Sequence, residues 1–233
     1  MVTHPVVSHE AWIEARRQLL AKEKEFTRLR DELSAERRAL PWEAVSKDYV
    51  FLGPNGRETL ADLFDGRSQL VVQHFMLGPG WEEGCKNCSF WADNFNGIDI
   101  HLAHRDVTFV AVSSASFDEI DAYRRRMGWS FKWVSSFGSD FNYDYQVAFK
   151  PEDMTSGQVY YNYRKTKAMS PELVGVSVFF KDETGAIYHT YSAYSRGVDI
   201  LNGAYNYIDL TPKGRDEGER NQFWVRRHDE YQA

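Results

Sequence analysis

The sequence predicts an α/β fold with a central mixed sheet, preceded by one long helix. Two strands with apolar residues in succession, 69–76 and 107–112, enclose a helical segment, and this order requires a parallel pair joined by a right-handed crossover. Residues 174–181 and 186–191 predict a β-hairpin, which adds antiparallel strands to the sheet. Residues 8–40 repeat apolar side chains with the period of a helix.

The predicted N-terminal helix carries a narrow apolar stripe. The stripe recurs at steps of three, four or seven and consists of Trp12, Ala15, Leu19, Phe26, Leu29, Leu33 and Leu40. Ser8 is suited to cap the helix, and Pro41 to end it. We therefore expect residues 1–43 to form an amphipathic helical arm. The arm either packs against its own domain or pairs with the same helix of a second chain in a homodimer.

Residues 44–233 are predicted to form the α/β domain. A short strand at 49–52 is followed by glycine-rich turn residues and a helical turn at 60–64. A helix from Cys85 to His104 is expected to connect the two buried strands, so the first cysteine lies where the first of these strands gives way to its helix.

The best-defined helix follows the strand at 107–112. Ser116 and Glu119 form a capping box, three arginines at 124–126 fill the last turn, and Gly128 ends the helix. A further strand is predicted at 131–134.

Two regions of the domain have weaker patterns. Residues 137–172 are rich in tyrosine and are predicted to be irregular. Residues 192–233 form a C-terminal extension, in which 198–202 predict a short helix.

Charge and composition exclude several classes of function. The 233 residues include 28 Lys and Arg against 34 Asp and Glu, a net charge of −6, whereas nucleic-acid binding needs a basic surface. No apolar run approaches the length of a membrane span, and residues 1–5 do not begin a signal peptide. These features predict a cytoplasmic protein that binds neither nucleic acid nor membrane, in a compartment that keeps thiols reduced.

Cys85 and Cys88 are the only cysteines, and two residues separate them. In a βαβ context this spacing is typical of a redox-active dithiol, which forms a Cys85–Cys88 disulfide and needs no further cofactor. The N-terminus of a helix stabilises a thiolate through its free N–H groups and its dipole. We predict that Cys85 is the nucleophile and Cys88, one turn later, the resolving thiol, with Lys86 adding local positive charge and a contact for the substrate.

Two other interpretations of the cysteines remain open. In a zinc site, the additional ligands would come from His74, His101 and His104. The His101–His104 pair lies about four turns along the predicted helix, roughly 20 Å from Cys88, so a shared site would require the helix to break early. Alternatively, the cysteines pack at ordinary helical spacing and have no chemical role. No G-x-S-x-G motif or phosphate-binding loop is present.

Aromatic residues supply further candidate contacts for a substrate. Trp81 and Trp91 flank the cysteines and could shield a disulfide from water, although Trp91 also fits a core position. The tyrosines that could line a groove are Tyr160, Tyr161, Tyr163, Tyr188, Tyr191, Tyr194, Tyr205 and Tyr207. Arg196, close to Tyr194, is a candidate contact for an anion. A partly wet interface is the alternative role for these tyrosines.

Several motifs resemble a bacterial family of the thioredoxin superfamily, described as predicted dithiol-disulfide oxidoreductases and related to the peroxiredoxin-like group. The motifs are Gly84-Cys85-Lys86-Asn87-Cys88-Ser89-Phe90-Trp91-Ala92-Asp93, Tyr194-Ser195-Arg196-Gly197, Leu201-Asn202-Gly203-Ala204-Tyr205-Asn206-Tyr207 and Pro212-Lys213-Gly214-Arg215-Asp216. The resemblance covers nearly the whole chain. It implies a thioredoxin-like, three-layer α/β/α fold with a central mixed sheet.

The resemblance also implies a substrate contact beside the hairpin. Thioredoxins place a cis-proline there, facing the disulfide, and in this chain that place falls near Gly175 or Val176. The nearest proline is Pro171, upstream of it. The peroxiredoxin pattern fits poorly, because Glu82 occupies the position of the expected hydroxyl residue.

The sequence thus favours a thiol-disulfide oxidoreductase acting on a small-molecule or protein thiol or disulfide. A thioredoxin-like module without catalysis, dimeric and sensing redox state or binding a partner, is the first alternative. A peroxidase of the peroxiredoxin type is a further one.

Overall fold

The computed structural model describes residues 4–231. The chain divides into two compact units, Met1–Pro41 and Trp42–Ala233. None of the helices in the described part of the chain combines the length and hydropathy of a membrane span.

The first unit is a single helix, α1, from His9 to Arg38. The Ser8 side chain accepts a hydrogen bond from the Ala11 N–H at 3.3 Å, as an N-cap does. The helix ends at Ala39, just before Pro41, so the predicted helix and both of its limits are confirmed. No residue of α1 is buried, and the apolar stripe is exposed, with Phe26 65% accessible. The homodimer expected from this stripe stays a prediction.

The second unit is built on strands. In chain order they are β1 (Glu43–Ala44), β2 (Val50–Gly53), β3 (Gly56–Thr59), β4 (Gln69–His74), β5 (Val107–Ser113), β6 (Trp133–Ser135), β7 (Gln158–Tyr161), β8 (Arg164–Lys167), β9 (Gly175–Lys181) and β10 (Ile187–Tyr194).

The described residues of this unit also form six α-helices and three 3-10 helices. The α-helices are α2 (Lys86–Phe95), α3 (Asp99–Ala103), α4 (Phe117–Arg126), α5 (Phe141–Asp144), α6 (Pro151–Ser156) and α7 (Gly203–Ile208). The 3-10 helices are Asp62–Phe64, Ser195–Leu201 and His228–Glu230.

The main sheet has eight strands in the order β1-β10-β9-β4-β5-β6-β2-β3. Strands β4, β5 and β6 are parallel to one another, whereas β9 pairs antiparallel with both β4 and β10. A parallel βαβ unit with an antiparallel hairpin beside its first strand is the thioredoxin-like arrangement that the family resemblance implies. The predicted α/β class and mixed sheet are confirmed.

Side chains alternate between the two faces of the sheet, as strand geometry requires. On β5, Phe109 and Ala111 join the core under α2 and α4. Val110 and Val112 point to the opposite core, which the Asp62–Phe64 helix and α5 cover. The three layers are therefore present, and the second outer layer consists of short helices.

The helix predicted from Cys85 to His104 is two helices. It breaks between α2 and α3, where Gly97 has a φ of +90°. The Asn96 side chain accepts a hydrogen bond from the Ser130 N–H at 2.8 Å. This contact holds the chain out of the helical path, and it comes from a segment distant in sequence.

The Tyr-rich segment 137–172, predicted to be irregular, contains α5, α6 and the separate β7–β8 hairpin. In the C-terminal extension, the helix expected at 198–202 is a 3-10 helix over Ser195–Leu201, and α7 follows it. The edge strands β1 and β3 were not predicted, since each is short and mostly exposed.

We expect Ser116→Ala to lower the free energy of unfolding by about 1 kcal/mol, because it removes one half of the α4 capping box. The Ser116 hydroxyl accepts from the Glu119 N–H at 3.4 Å, and the Glu119 carboxylate accepts from the Ser116 N–H at 2.8 Å. Urea unfolding measures the change. The control is Thr155→Ala on exposed α6, expected to stay within about 0.5 kcal/mol. Equal losses for the two variants would contradict the capping role.

Candidate dithiol site

Backbone hydrogen bonds place Cys85 at the carboxyl end of β4. The Cys85 N–H donates to the Met76 carbonyl at 3.0 Å, closing the loop 77–84. The Ala115 N–H donates to the Leu77 carbonyl at 2.9 Å, which ties the same loop to the end of β5. In open α/β sheets, ligands bind outside the carboxyl ends of the strands. Cys85 is the N-cap residue of α2, as the sequence predicted for the first cysteine.

Gly84 precedes Cys85 because no side chain fits there. A Cβ atom on Gly84 would lie 2.6 Å from Cε1 of Tyr123 and 2.7 Å from Cε1 of Phe75. The backbone can therefore pass directly over these two rings, which brings the Cys85 backbone close to the core.

Cys85 and Cys88 are free thiols that lie 4 Å apart. Cys85 is partly exposed, whereas Cys88 is buried, with 3% of its surface accessible. An incoming molecule therefore meets the Cys85 sulfur first.

The two thiols have pKa values shifted in opposite directions. A hydrogen bond from the Cys88 thiol, the N–H groups of Cys88 and Asn87, and the charge of Arg227 together lower the pKa of Cys85 to about 6, against the opposing effect of burial. The same thiol hydrogen bond, burial and the Cys85 charge raise the pKa of Cys88. Cys85 is thus a thiolate at neutral pH while Cys88 keeps its proton.

Arg227 reaches the cysteine loop from the C-terminal extension. Its guanidinium donates to the Gly84 carbonyl at 2.8 Å through Nη2 and to the Tyr123 hydroxyl at 3.0 Å through Nε. The Tyr123 hydroxyl lies 2.8 Å from the Ser89 hydroxyl, which donates to the Cys85 carbonyl at 3.0 Å. Arg227 therefore holds both the carbonyl before Cys85 and, through two hydroxyls, the carbonyl of Cys85 itself.

Carboxylates fix Arg227 in place. Its Nη1 lies 2.9 Å from an oxygen of Glu83 and 2.7 Å from an oxygen of Glu230. Arg126 on α4 pairs with Glu83 and, at 2.7 Å, with Asp229. This network joins the C-terminal 3-10 helix to the loop before the cysteines.

Glu172 is a buried carboxyl behind the site, with 5% of its surface accessible. Burial raises the pKa of Glu172 to about 7, although a hydrogen bond from the Ser114 hydroxyl opposes the shift. Its charge contributes to the raised pKa of Cys88. Glu172 also lines a second cleft of about 580 Å³, together with Gly78, Trp81 and Ser114.

The cysteines open into a cavity of about 370 Å³, which we call the cysteine cavity. Besides the cysteines, the described residues that line it are Met76, Asn87, Trp91, Tyr161, Met169, Leu173, Val174, Ser195, Arg196, Val198, Asp199, Asn221 and Gln222. Most of these side chains come from the segments 169–174 and 195–199 that flank the hairpin.

Some of the residues predicted to bind substrate lie at this cavity and others do not. Arg196 lines it, and its side chain is largely exposed. Trp91 lines it and is also part of the core. Trp81 lies in the second cleft instead, with its indole packed over Gly78. Lys86 is the first residue of α2 and is absent from the described lining.

The structure places Gly175, Val176 and Tyr194 in the sheet. Gly175 pairs with His74 and Tyr194 across the strands, and a Cβ on it would lie 2.8 Å from the Tyr194 ring. Val176 is buried in the core, and the Tyr194 hydroxyl donates to the Tyr145 carbonyl at 3.1 Å. The residues that line the cavity at this point are Leu173 and Val174, immediately before Gly175.

Of the three histidines considered as metal ligands, His74 has other partners, whereas His101 and His104 are exposed. His74 is fully buried, with its ring nitrogens 3.3 Å from Asn142 Oδ1 and 2.9 Å from Ser177 Oγ. Burial lowers its pKa to about 4. Across residues 4–231, no three or more His, Cys, Asp or Glu side chains are grouped to hold a metal ion.

Sequence reasoning missed Arg227 and Glu172. Arg227 lies in a charged segment whose composition is typical of a solvated surface, 143 residues from its partner Gly84. Glu172 directly follows Pro171, and its burial depends on packing between distant loops. A local signal for a cation near the site does exist in the sequence, because Glu82 and Glu83 place two negative charges next to the cysteines.

We expect Arg227→Gln to raise the pKa of Cys85 by up to about 1 pH unit, because the thiolate loses a nearby positive charge. The rate of alkylation by iodoacetamide, followed from pH 4 to pH 9, should rise through about pH 6 in the parent protein and at higher pH in the variant. The control is Arg226→Gln, because Arg226 is exposed and its guanidinium donates to the neighbouring carbonyls of Phe223 and Val225 rather than to the cysteine loop. Superimposable profiles for both variants would rule out this role of Arg227.

Solved structures that resemble this chain include three peroxiredoxin-type proteins. A cysteine-to-serine mutant of peroxiredoxin Q from Xanthomonas campestris is 11% identical, with a TM-score of 0.43 over 68% of this chain and 90% of that one. Peroxidoxin BcpB from Mycobacterium tuberculosis is 12% identical, with a TM-score of 0.41 over 72% and 96%. The yeast mitochondrial 1-Cys peroxiredoxin is 14% identical, with a TM-score of 0.42 over 75% and 78%. These likenesses assign no activity to this chain.

No curated protein matches this chain. A family described as "Bacterial protein of unknown function (DUF899)" matches residues 1–231. That description names no reaction, so the oxidoreductase activity implied by the resemblance stays a prediction. Because the match spans nearly the whole sequence, the chain belongs to this bacterial family, DUF899.

Proposed function

We propose that this protein is a thiol-disulfide oxidoreductase in which Cys85 and Cys88 form the redox dithiol. The observation that supports it most directly is the asymmetry of the pair. One thiol is partly exposed and ionised at neutral pH, and the other is buried and protonated 4 Å away. A nucleophile and a resolving thiol need these two different states.

In the first step, the Cys85 thiolate attacks one sulfur of a substrate disulfide. A Cys85–substrate disulfide forms, the substrate S–S bond breaks, and half of the substrate leaves as a thiolate. The low pKa of Cys85 provides the thiolate at pH 7 without a separate base.

In the second step, Cys88 attacks the Cys85 sulfur. The Cys85–Cys88 disulfide forms, the bond to the substrate breaks, and the Cys88 proton passes to the departing sulfur. Two electrons have then moved from the protein dithiol to the substrate disulfide. An external dithiol reductant restores the starting state by the reverse exchange. The proposal requires a compartment that keeps thiols reduced, which the predicted cytoplasmic location satisfies.

We expect Cys88→Ser to trap the first intermediate and Cys85→Ser to prevent it. With bis(hydroxyethyl) disulfide as substrate, mass spectrometry of the Cys88→Ser protein should show one adduct per chain, since no second thiol is left to release it. The Cys85→Ser protein should remain almost unmodified at pH 7, because Cys88 is buried, with 3% of its surface accessible. An adduct on Cys88 at the parent rate would reverse the assigned roles.

Equilibration in glutathione redox buffers tests whether the pair cycles. We expect two thiols per chain to disappear together as the buffer becomes more oxidising, with a midpoint between roughly −270 and −120 mV, the range of known dithiol pairs. Alkylation followed by mass measurement counts the thiols. If the thiols cycle but no disulfide or dithiol substrate is turned over, the protein is a redox-sensing module. Thiols that never pair would exclude both functions.

A further inference from the structure

The wall of the cysteine cavity is mainly apolar. It presents seven apolar or aromatic side chains: Met76, Trp91, Tyr161, Met169, Leu173, Val174 and Val198. Burying apolar surface here stabilises a bound molecule by roughly 25 cal/mol per Å². A substrate with an alkyl or aromatic body next to its disulfide therefore gains free energy from this wall.

The polar groups of the Tyr161 and Trp91 side chains are already bonded to the protein. The Tyr161 hydroxyl donates to the Val174 carbonyl at 2.6 Å and accepts from the Ser195 N–H at 2.9 Å. The Trp91 indole N–H donates to the Val198 carbonyl at 3.0 Å. These three interactions stiffen the apolar part of the wall. The Asn87 Oδ1, which belongs to the same lining, is buried with no hydrogen-bond partner among the described residues, so it can accept from a neutral N–H or O–H donor of a ligand.

The charged residues at the rim neutralise one another. The Arg196 guanidinium lies 3.3 Å from Asp199, and Asp199 lies 3.1 Å from Arg215, which pairs with Asp209 at 2.8 Å. An anionic substrate would compete with Asp199 for Arg196 and would be repelled by the Asp199 carboxylate. A cationic one would be repelled by Arg196. Neither recovers the free energy lost when its charge leaves water.

The size of the cavity points to a small molecule. Its volume of about 370 Å³ falls within the range of small-molecule sites, roughly 300 to 1,000 Å³. Cys85 opens between the segments 169–174 and 195–199. The disulfide of a folded protein would have to project between these segments to reach the sulfur.

We infer that the substrate is a small disulfide with an apolar body and no net charge. This inference rests on the proposed function and deepens it. The chemistry is the exchange already described: the substrate disulfide is reduced by two electrons to two thiols, and the Cys85–Cys88 dithiol is oxidised to the disulfide.

The test compares dithiodibutyric acid with its diamide, because the two disulfides differ in charge and share the same carbon chain. Oxidation of the reduced protein is followed by thiol counting at pH 7, and each rate is divided by that of free dithiothreitol to remove intrinsic reactivity. We expect the normalised second-order rate constant for the neutral diamide to exceed that for the dianionic acid at least about tenfold, equivalent to about 1.4 kcal/mol. A ratio of one or below would overturn the inference.

Two variants distinguish an effect of the rim charges on the rate ratio from an unspecific effect of substitution. Asp199→Asn frees Arg196 from its partner, so the ratio should fall towards one through faster reaction of the acid. Ile200→Gln changes an exposed side chain, 64% accessible, that is absent from the described residues lining the cavity, and it adds no charge, so the ratio should stay as in the parent. An Asp199→Asn ratio equal to that of the parent would contradict the role of the paired rim.

Failure of the inference and failure of the proposed function give different results. Bis(hydroxyethyl) disulfide, a small neutral disulfide, serves as the reference substrate. If it fails to oxidise the dithiol, the proposed function is wrong. If it reacts while the diacid matches or exceeds the diamide, only the preference for a neutral apolar substrate is wrong.

Discussion

The hydrogen bond from the Cys85 N–H to the Met76 carbonyl is the constraint on which the site depends. It joins the first residue before α2 to the end of β4, so the intervening loop is closed and the helix starts above the sheet edge. Glu119, already part of the α4 capping box, holds the same loop by accepting from the Gly80 N–H at 2.9 Å. The position of the Cys85 sulfur is therefore set by hydrogen bonds to backbone groups of Cys85 and of the loop before it.

The opposite states of the two thiols follow from this placement. At the helix start, Cys85 receives N–H groups and faces the cavity; one turn further, Cys88 lies in the core beside Trp91 and Ala92. Because a single proton is shared between the sulfurs, ionising one opposes ionising the other. The strand-to-helix junction thus gives two identical side chains different environments.

The sequence predicts those parts of the fold that have local signals. The dithiol at a strand–helix junction, the capping box at Ser116 and the late hairpin all follow from apolar periodicity and turn residues within a few positions. The break after Phe95 also has a local signal, the Asn96-Gly97 pair, but Ile98 and Leu102 continue the helical pattern beyond it, and that pattern predicts one continuous helix. In the structure Gly97 has a φ of +90°, and the Asn96 side chain accepts from the Ser130 N–H, which is a tertiary contact. Arg227 has no such local signal, since no spacing rule connects it to Gly84.

The hydrogen bond from Arg227 to the Gly84 carbonyl makes the pKa of Cys85 depend on an uncut backbone between the two residues. Between α7 and the 3-10 helix at His228, the chain consists mainly of turns. Proteolytic nicking in this stretch would leave both cysteines on their helix yet allow the guanidinium to drift away. The thiol would become less acidic while the sheet stayed intact, so a clipped molecule would lose reactivity before it lost its fold.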